Sequence, residues 1–77
     1  MKIVEVTWED ASFEDTTKRT QRTVKEDTFV VLCSVGYLVS RDKRAIRLAM
    51  ERRLDSDDVR DVLLIPTSLV KKVRVLK

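Results

Sequence analysis

The 77-residue chain contains no histidine, one cysteine, one glycine and one proline, and these scarcities exclude several kinds of chemistry. Without histidine there is no imidazole to activate a serine or cysteine nucleophile and no histidine ligand for zinc. The single cysteine, Cys33, excludes an internal disulfide and every cysteine cluster, as is usual in reducing compartments. We therefore expect no catalytic residue, no metal, no cofactor and no enzymatic activity.

Long apolar runs are also missing. The longest run, residues 29–39, is interrupted by Ser34 and Gly36, whereas a membrane-spanning helix needs about 20 apolar residues. Residues 1–5 lack the apolar core of a signal peptide. We expect no membrane segment and a cytoplasmic location.

The composition indicates one small folded domain. Charged residues make up 38% and hydrophobic residues 43% of the chain, a balance that favours a compact fold over disorder. No repeat or Pro/Gly/Ser-rich linker divides residues 1–77, so we predict a single domain. A long loop is predicted at about residues 9–27, where stiff, branched threonine side chains disfavour helix.

The first half of the chain predicts two strands. Val4, Val6 and Trp8 alternate with polar residues, which is the period of a half-buried strand. Residues 28–40 are rich in β-branched and aromatic side chains, which also favours a strand. We expect Gly36 to mark a bend or bulge in this long strand.

The last third predicts two strands separated by a short turn. Residues 59–65 are mostly apolar and end at Pro66, which has no N–H group to continue a ladder. Residues 67–70 have the length of one 3₁₀ turn, and residues 71–76 form the last strand.

Residues 43–54 fit two structures. Most of them are strong helix formers, and Ile46, Ala49 and Met50 would share a helical face. However, Ile46, Leu48 and Met50 also occupy every second position, as in a strand. We favour a strand because the segment lies between two short polar turns.

This order of elements is typical of a small five-stranded SH3-like barrel, which has a long first loop, shorter hairpins and a 3₁₀ turn before the last strand. Closure into a barrel removes most exposed strand edges, which suits a short chain. The alternative is an α+β fold in which a helix at about residues 43–54 packs on an antiparallel sheet.

Four short segments carry a likeness to known proteins: VTWEDA at residues 6–11, VGYLVS at 35–40, LAME at 48–51 and IPTSLVKKV at 65–73. They resemble a group of short uncharacterised proteins of tailed bacteriophages and prophages. The resemblance implies a strand at residues 48–50 and a phage accessory protein, and it supplies no catalytic residue. Residues 13–28 match no pattern of that group, so no shared ligand follows.

Charge is distributed in blocks along the chain. The net charge is +3, but residues 1–17 carry −4, residues 18–53 carry +6, residues 54–61 carry −3 and residues 62–77 carry +4. Such blocks steer charged partners or pair with one another in an assembly.

Eight basic residues form a candidate phosphate-binding surface, since phosphate contacts require only positive charge within reach. They are Lys18, Arg19, Arg22, Lys25, Arg41, Lys43, Arg44 and Arg47. In an SH3-like barrel we expect the long first loop and the second hairpin to bring them together at one end. The alternative is an ordinary solvated surface. Aromatic residues are few, and Trp8 and Phe29 are predicted to lie in the core, which argues against base stacking.

Two predicted strands are apolar on both faces, although a small barrel has only one interior. We predict that they contact a second copy or another protein through Phe29, Val30, Val31, Leu32, Val62, Leu63, Leu64 and Ile65. Cys33 lies in one of these strands, and we expect a buried, inert thiol.

Together these features predict a non-catalytic, oligomeric binding module. It would bind a host or viral macromolecule in host takeover or in opposing a host defence. The alternative is a small barrel that binds nucleic acid or a nucleotide through its basic surface.

Overall fold

A computed structural model describes residues 1–10, 20–25 and 29–77. The elements are β1 (Ile3–Asp10), a short helix α1 (Gln21–Lys25), β2 (Val30–Arg41), β3 (Ala45–Arg52), β4 (Val59–Pro66), a 3₁₀ turn (Thr67–Leu69) and β5 (Val70–Val75). The five predicted strands and the 3₁₀ turn are confirmed. Of the predicted loop at residues 9–27, β1 takes residues 9–10 and α1 takes residues 21–25, while residues 11–19 and 26–27 lie outside the described ranges.

The segment that fits two structures is a strand. β3 pairs with β2 on one side and with β4 on the other, so its backbone hydrogen bonds are satisfied in the sheet. This pairing outweighs the helix propensity of its residues. The α+β alternative, with a helix at about residues 43–54, is wrong.

The strands form one antiparallel sheet in the order β4-β3-β2-β1-β5. The chain therefore makes a meander and then returns to place β5 beside β1. In the described part of the chain β4 and β5 do not pair, so the sheet is open and keeps two edges. Closure into an SH3-like barrel stays a prediction.

The core lies on one face of this sheet. Val4, Val6 and Trp8 of β1 pack with Ile46, Leu48 and Ile65 of β3 and β4. Because β2 separates β1 from β3 in the sheet, a shared core requires the sheet to bend around it. The Trp8 indole Nε1–H donates a 3.0 Å hydrogen bond to the Ser34 hydroxyl, which satisfies its polar atom near the core.

One core prediction is wrong. Phe29 is 60% exposed because it precedes the last β1–β2 pair, Asp10 with Val30, and lies past the end of the core.

Glycine at position 36 has a different role from the bend or bulge that the sequence predicts. Its φ is not positive, and the irregularity in β2–β3 pairing lies between Leu38 and Ser40. A Cβ atom at Gly36 would lie 2.9 Å from the Ala49 carbonyl oxygen and 3.2 Å from the Leu48 Cβ. Glycine is therefore required because β3 approaches the backbone closely.

Candidate interaction surface

The hairpins β1–β2 and β3–β4 separate at one end. β2 pairs with β3 only from Tyr37 to Arg41, so residues 30–36 pair with β1 alone. At the far end of β3, Glu51 and Arg52 pair with β4 alone. Between the hairpins lies a cavity of about 400 Å³ lined by Cys33, Ser34, Val35, Leu48, Met50 and Leu63.

The unpaired half of β2 exposes apolar side chains on both faces. Leu32 pairs with Trp8 and lies on the core face, whereas Val31 pairs with Glu9 and lies on the outer face. Phe29, Val30, Val31 and Leu32 are all exposed. The predicted two-faced apolar character of this segment is confirmed.

β4 repeats this arrangement on an edge strand, with one exception. Val62 and Leu64 pair with outer-face residues of β3, and Leu63 pairs with Leu48 on the core face, yet all three are exposed. Ile65 instead pairs with Ile46 and is fully buried. Its prediction as a partner contact is wrong because it completes the core.

The thiol of Cys33 is exposed, contrary to the expected burial. Cys33 pairs with Thr7, whose neighbours Val6 and Trp8 supply the core. Strand alternation therefore directs Cys33 to the face opposite the core.

The apolar surface is large for a chain of this size. We define it by the exposed apolar side chains of both hairpins: Phe29, Val30, Val31, Leu32, Val35, Met50, Val62, Leu63 and Leu64. Each of them is at least 37% exposed, and exposed apolar groups clustered in this way mark interaction sites.

The described residues place four of the eight predicted basic residues at one turn. Arg41, Lys43, Arg44 and Arg47 surround the β2–β3 turn, whereas α1 belongs to the connection at the opposite end of β2 and carries Arg22 and Lys25. The two ends of this 12-residue strand are roughly 35 Å apart. Lys18 and Arg19 lie outside the described residues.

The β2–β3 turn is organised by Asp42. One carboxylate oxygen, Oδ1, accepts the backbone N–H groups of Arg44 at 2.8 Å and Ala45 at 3.0 Å. The other, Oδ2, accepts a 2.9 Å hydrogen bond from Arg47 Nη1, which also donates to the Ser40 hydroxyl. Arg47 is therefore a structural residue of the turn, which leaves three basic side chains exposed around it: Arg41, Lys43 and Arg44.

These hydrogen bonds lower the pKa of the Asp42 carboxyl, first through the N–H of Ala45, then through that of Arg44 and the Arg47 guanidinium. Because the folded-state pKa is lowered, the carboxylate stabilises the fold above the unfolded-state value of about 4. This contribution is lost as the pH falls through the lower folded-state value.

We predict that Asp42→Ala lowers the melting temperature by several degrees at neutral pH because two backbone donors and Arg47 lose their acceptor. Asp42→Asn keeps the acceptor for the backbone but not the charge, so we expect a smaller loss and a weaker acid dependence below about pH 4. Thermal denaturation followed by circular dichroism measures both. Asp55→Ala is the matched control, because its exposed ion pair with Arg53 contributes little; equal losses in Asp42→Ala and the control would contradict the role of Asp42.

The acidic and basic ends of the chain pair with each other on the sheet. Glu5 of β1 lies 3.4 Å from the Arg74 guanidinium, and Glu9 lies 2.8 Å from the Lys71 ammonium of β5. These contacts partly neutralise two of the charge blocks within one chain.

No family model, curated protein or solved structure matches the chain. Within the described ranges, no helix is long and apolar enough to cross a membrane. Among those same residues, no cluster of three or more cysteine, aspartate or glutamate side chains is placed to hold a metal ion.

Proposed function

We propose that the protein is a non-catalytic binding module that acts through the apolar surface of its two separated hairpins. The observation that carries this proposal is the exposure of apolar side chains on both faces of β2 and β4. Apolar surface of this extent favours association with a protein partner, because burying it removes it from water.

The proposed fold class is an SH3-like small β-barrel in its open form. Its support is the position of β5 beside β1, the 3₁₀ turn before β5 and the bend of the sheet around one core. The proposed setting is that of a phage accessory protein that binds a host or viral macromolecule and is oligomeric. Its support is the resemblance of residues 6–11, 35–40, 48–51 and 65–73 to small phage and prophage proteins.

Native mass spectrometry of the protein purified from its host tests the binding function. We expect a mass above that of one 9.0 kDa chain, from further copies, from a retained macromolecule or from both. Val31→Lys and Leu64→Lys, which each place a charge on the apolar surface, are expected to reduce the retained mass.

The matched control is Ser68→Lys, which adds the same charge at an exposed position of the 3₁₀ turn. A wild-type protein that stays at 9.0 kDa with nothing retained would contradict the proposal. So would variants that bind as the wild type does.

A second candidate function is binding of nucleic acid or a nucleotide at the β2–β3 turn. It is supported by Arg41, Lys43 and Arg44, which are exposed around one turn and make no ion pair with any described acidic residue. Since Arg47 is held by Asp42 and Arg22 lies in α1 on the connection before β2, Arg41, Lys43 and Arg44 are the cations that the described residues offer at this turn.

For this second function we predict weak binding with a slope of log K against log salt of about −2 to −3, as expected for three phosphate contacts. Fluorescence anisotropy with a labelled duplex and a labelled single strand measures the slope. Arg44→Glu is expected to reduce affinity, and Arg60→Glu, at an exposed site on β4, is the control. No binding at low salt would exclude nucleic acid as the partner.

A further inference from the structure

Unpaired backbone occurs along the two edge strands β4 and β5, at the end of β3 and along residues 30–36 of β2. The first three carry features that oppose strand addition. β5 has Lys71, Lys72 and Arg74, and positive charge protects an edge from pairing with a copy of itself. The unpaired end of β3 has Glu51 and Arg52.

β4 is interrupted in a different way. Asp61 has a φ of 55°, in the left-handed region that disrupts extended geometry, and its neighbour Arg60 adds a second charge. The strand ends at Pro66, which has no N–H group.

The unpaired stretch of β2 has no such protection. Residues 30–36 contain no charged residue and no proline. Among the described strands none pairs with the edge of their backbone opposite β1, and residues 33–35 line the cavity. A regular, uncharged and apolar strand edge is a template for pairing with another strand.

We propose that residues 30–36 of β2 pair antiparallel with the same residues of a second copy, about a two-fold axis that passes beside Cys33. The inference rests on the proposed function, because it names the partner of the apolar surface as a second copy of this chain. Cys33 is the middle residue of the stretch, so only a register centred on it uses all seven residues. The two copies then share one continuous sheet.

The side chains suit this register. Antiparallel pairing about Cys33 sets Val31 against Val35 of the partner subunit, and Leu32 against Ser34 of the partner subunit. A two-fold contact sets the same stretch of both copies against itself, so a charged stretch would face like charge. Residues 30–36 carry no charge and avoid this repulsion.

The exposed apolar side chains of the stretch also favour a second copy. Val31, Leu32 and Val35 are 58%, 37% and 46% exposed. Pairing about the two-fold axis buries them in both copies at once, so each copy removes apolar surface from water.

Disulfide trapping tests the register directly. Directly opposed residues in an antiparallel pair have Cα atoms about 4.5–5.5 Å apart, within the range that a disulfide bridges. We expect wild-type protein treated with a mild oxidant to form a covalent dimer through Cys33, seen on a non-reducing gel. The matched variants carry Cys33→Ser with either Val31→Cys or Val35→Cys, at positions of similar exposure.

Each of these two variants alone is expected to form at least tenfold less covalent dimer, since its cysteines lie roughly 13 Å apart along the paired strands. Mixed together, they are expected to form a heterodimer, because Val31 faces Val35 across the axis. If each variant alone formed as much covalent dimer as the mixture, this result would overturn the register.

A charge at the pairing edge tests the interface without relying on oxidation. We expect Val35→Lys to weaken dimerisation at least tenfold in sedimentation, and Val62→Lys, at a similarly exposed position of β4, to weaken it less than about threefold. Far-UV circular dichroism shows whether both variants fold. A dimer that Val62→Lys breaks and Val35→Lys spares would overturn the proposed edge but leave the binding function of the apolar surface standing.

Discussion

Ile65→Ala is expected to lower the free energy of unfolding by about 2–5 kcal/mol, although its three preceding neighbours in β4 are exposed. Ile65 is fully buried, pairs with Ile46 and packs in the core with Leu48. Alanine removes buried methyl and methylene groups and leaves a cavity. For a domain whose total stability is about 5–15 kcal/mol, this is a large loss. Urea denaturation measures it.

Leu64→Ala is the matched control on the preceding residue. Leu64 pairs with Arg47 on the outer face and is 58% exposed, so we expect a loss below about 1 kcal/mol. A similar loss of stability in both variants would contradict the separation of β4 into a core residue and surface residues.

Gly36→Ala is expected to lower the free energy of unfolding by about 1–3 kcal/mol. In a strand, alanine is usually at least as favourable as glycine, so the sign itself is informative. The new Cβ would meet the backbone carbonyl oxygen of Ala49, which cannot move without disturbing the β2–β3 pairing. Chemical denaturation of the variant gives the value.

The control for this prediction is Val35→Ala, which places alanine next to Gly36 at a half-exposed position and should change stability little. Stabilisation by Gly36→Ala alone would contradict the close approach of the two strands.

The order of elements could be predicted from the sequence because local chemistry determines it. Alternation of Val4, Val6 and Trp8 fixes a strand and its buried face, and Pro66 ends β4. At residues 43–54 the polar turns on both sides favour a strand in the sequence, and Asp42 organises one of them, while pairing with β2 and β4 satisfies that strand in the sheet.

Burial along β2 could not be predicted in the same way, because it depends on register and on where the core ends. Cys33 and Phe29 lie in an apolar segment, and apolar composition alone predicts burial for both. Pairing with Thr7 directs Cys33 outward, and Phe29 precedes the last residue pair of the hairpin. The prediction for Ile65 is wrong in the opposite sense: the residue is expected to be exposed like its neighbours in sequence, and it is buried.

The predicted convergence of the eight basic residues stays a prediction, since Lys18 and Arg19 lie outside the described residues, and the order of the described strands does not favour it. In an antiparallel meander, consecutive connections lie at opposite ends of the strand that they share. Arg22 and Arg44 belong to two such connections, at the two ends of β2. Of the predicted apolar contact residues, Leu63 lines the cavity between the hairpins, which exists because β2 and β3 stop pairing at Tyr37 and the two hairpins separate there.

Sedimentation equilibrium of the wild-type protein tests most directly whether the apolar surface of the hairpins is an association surface. From low to high micromolar concentration, we expect the mass to rise from that of one 9.0 kDa chain toward that of two, and Val35→Lys to shift this rise to higher concentration. A mass of 9.0 kDa at every concentration would contradict self-association through this surface.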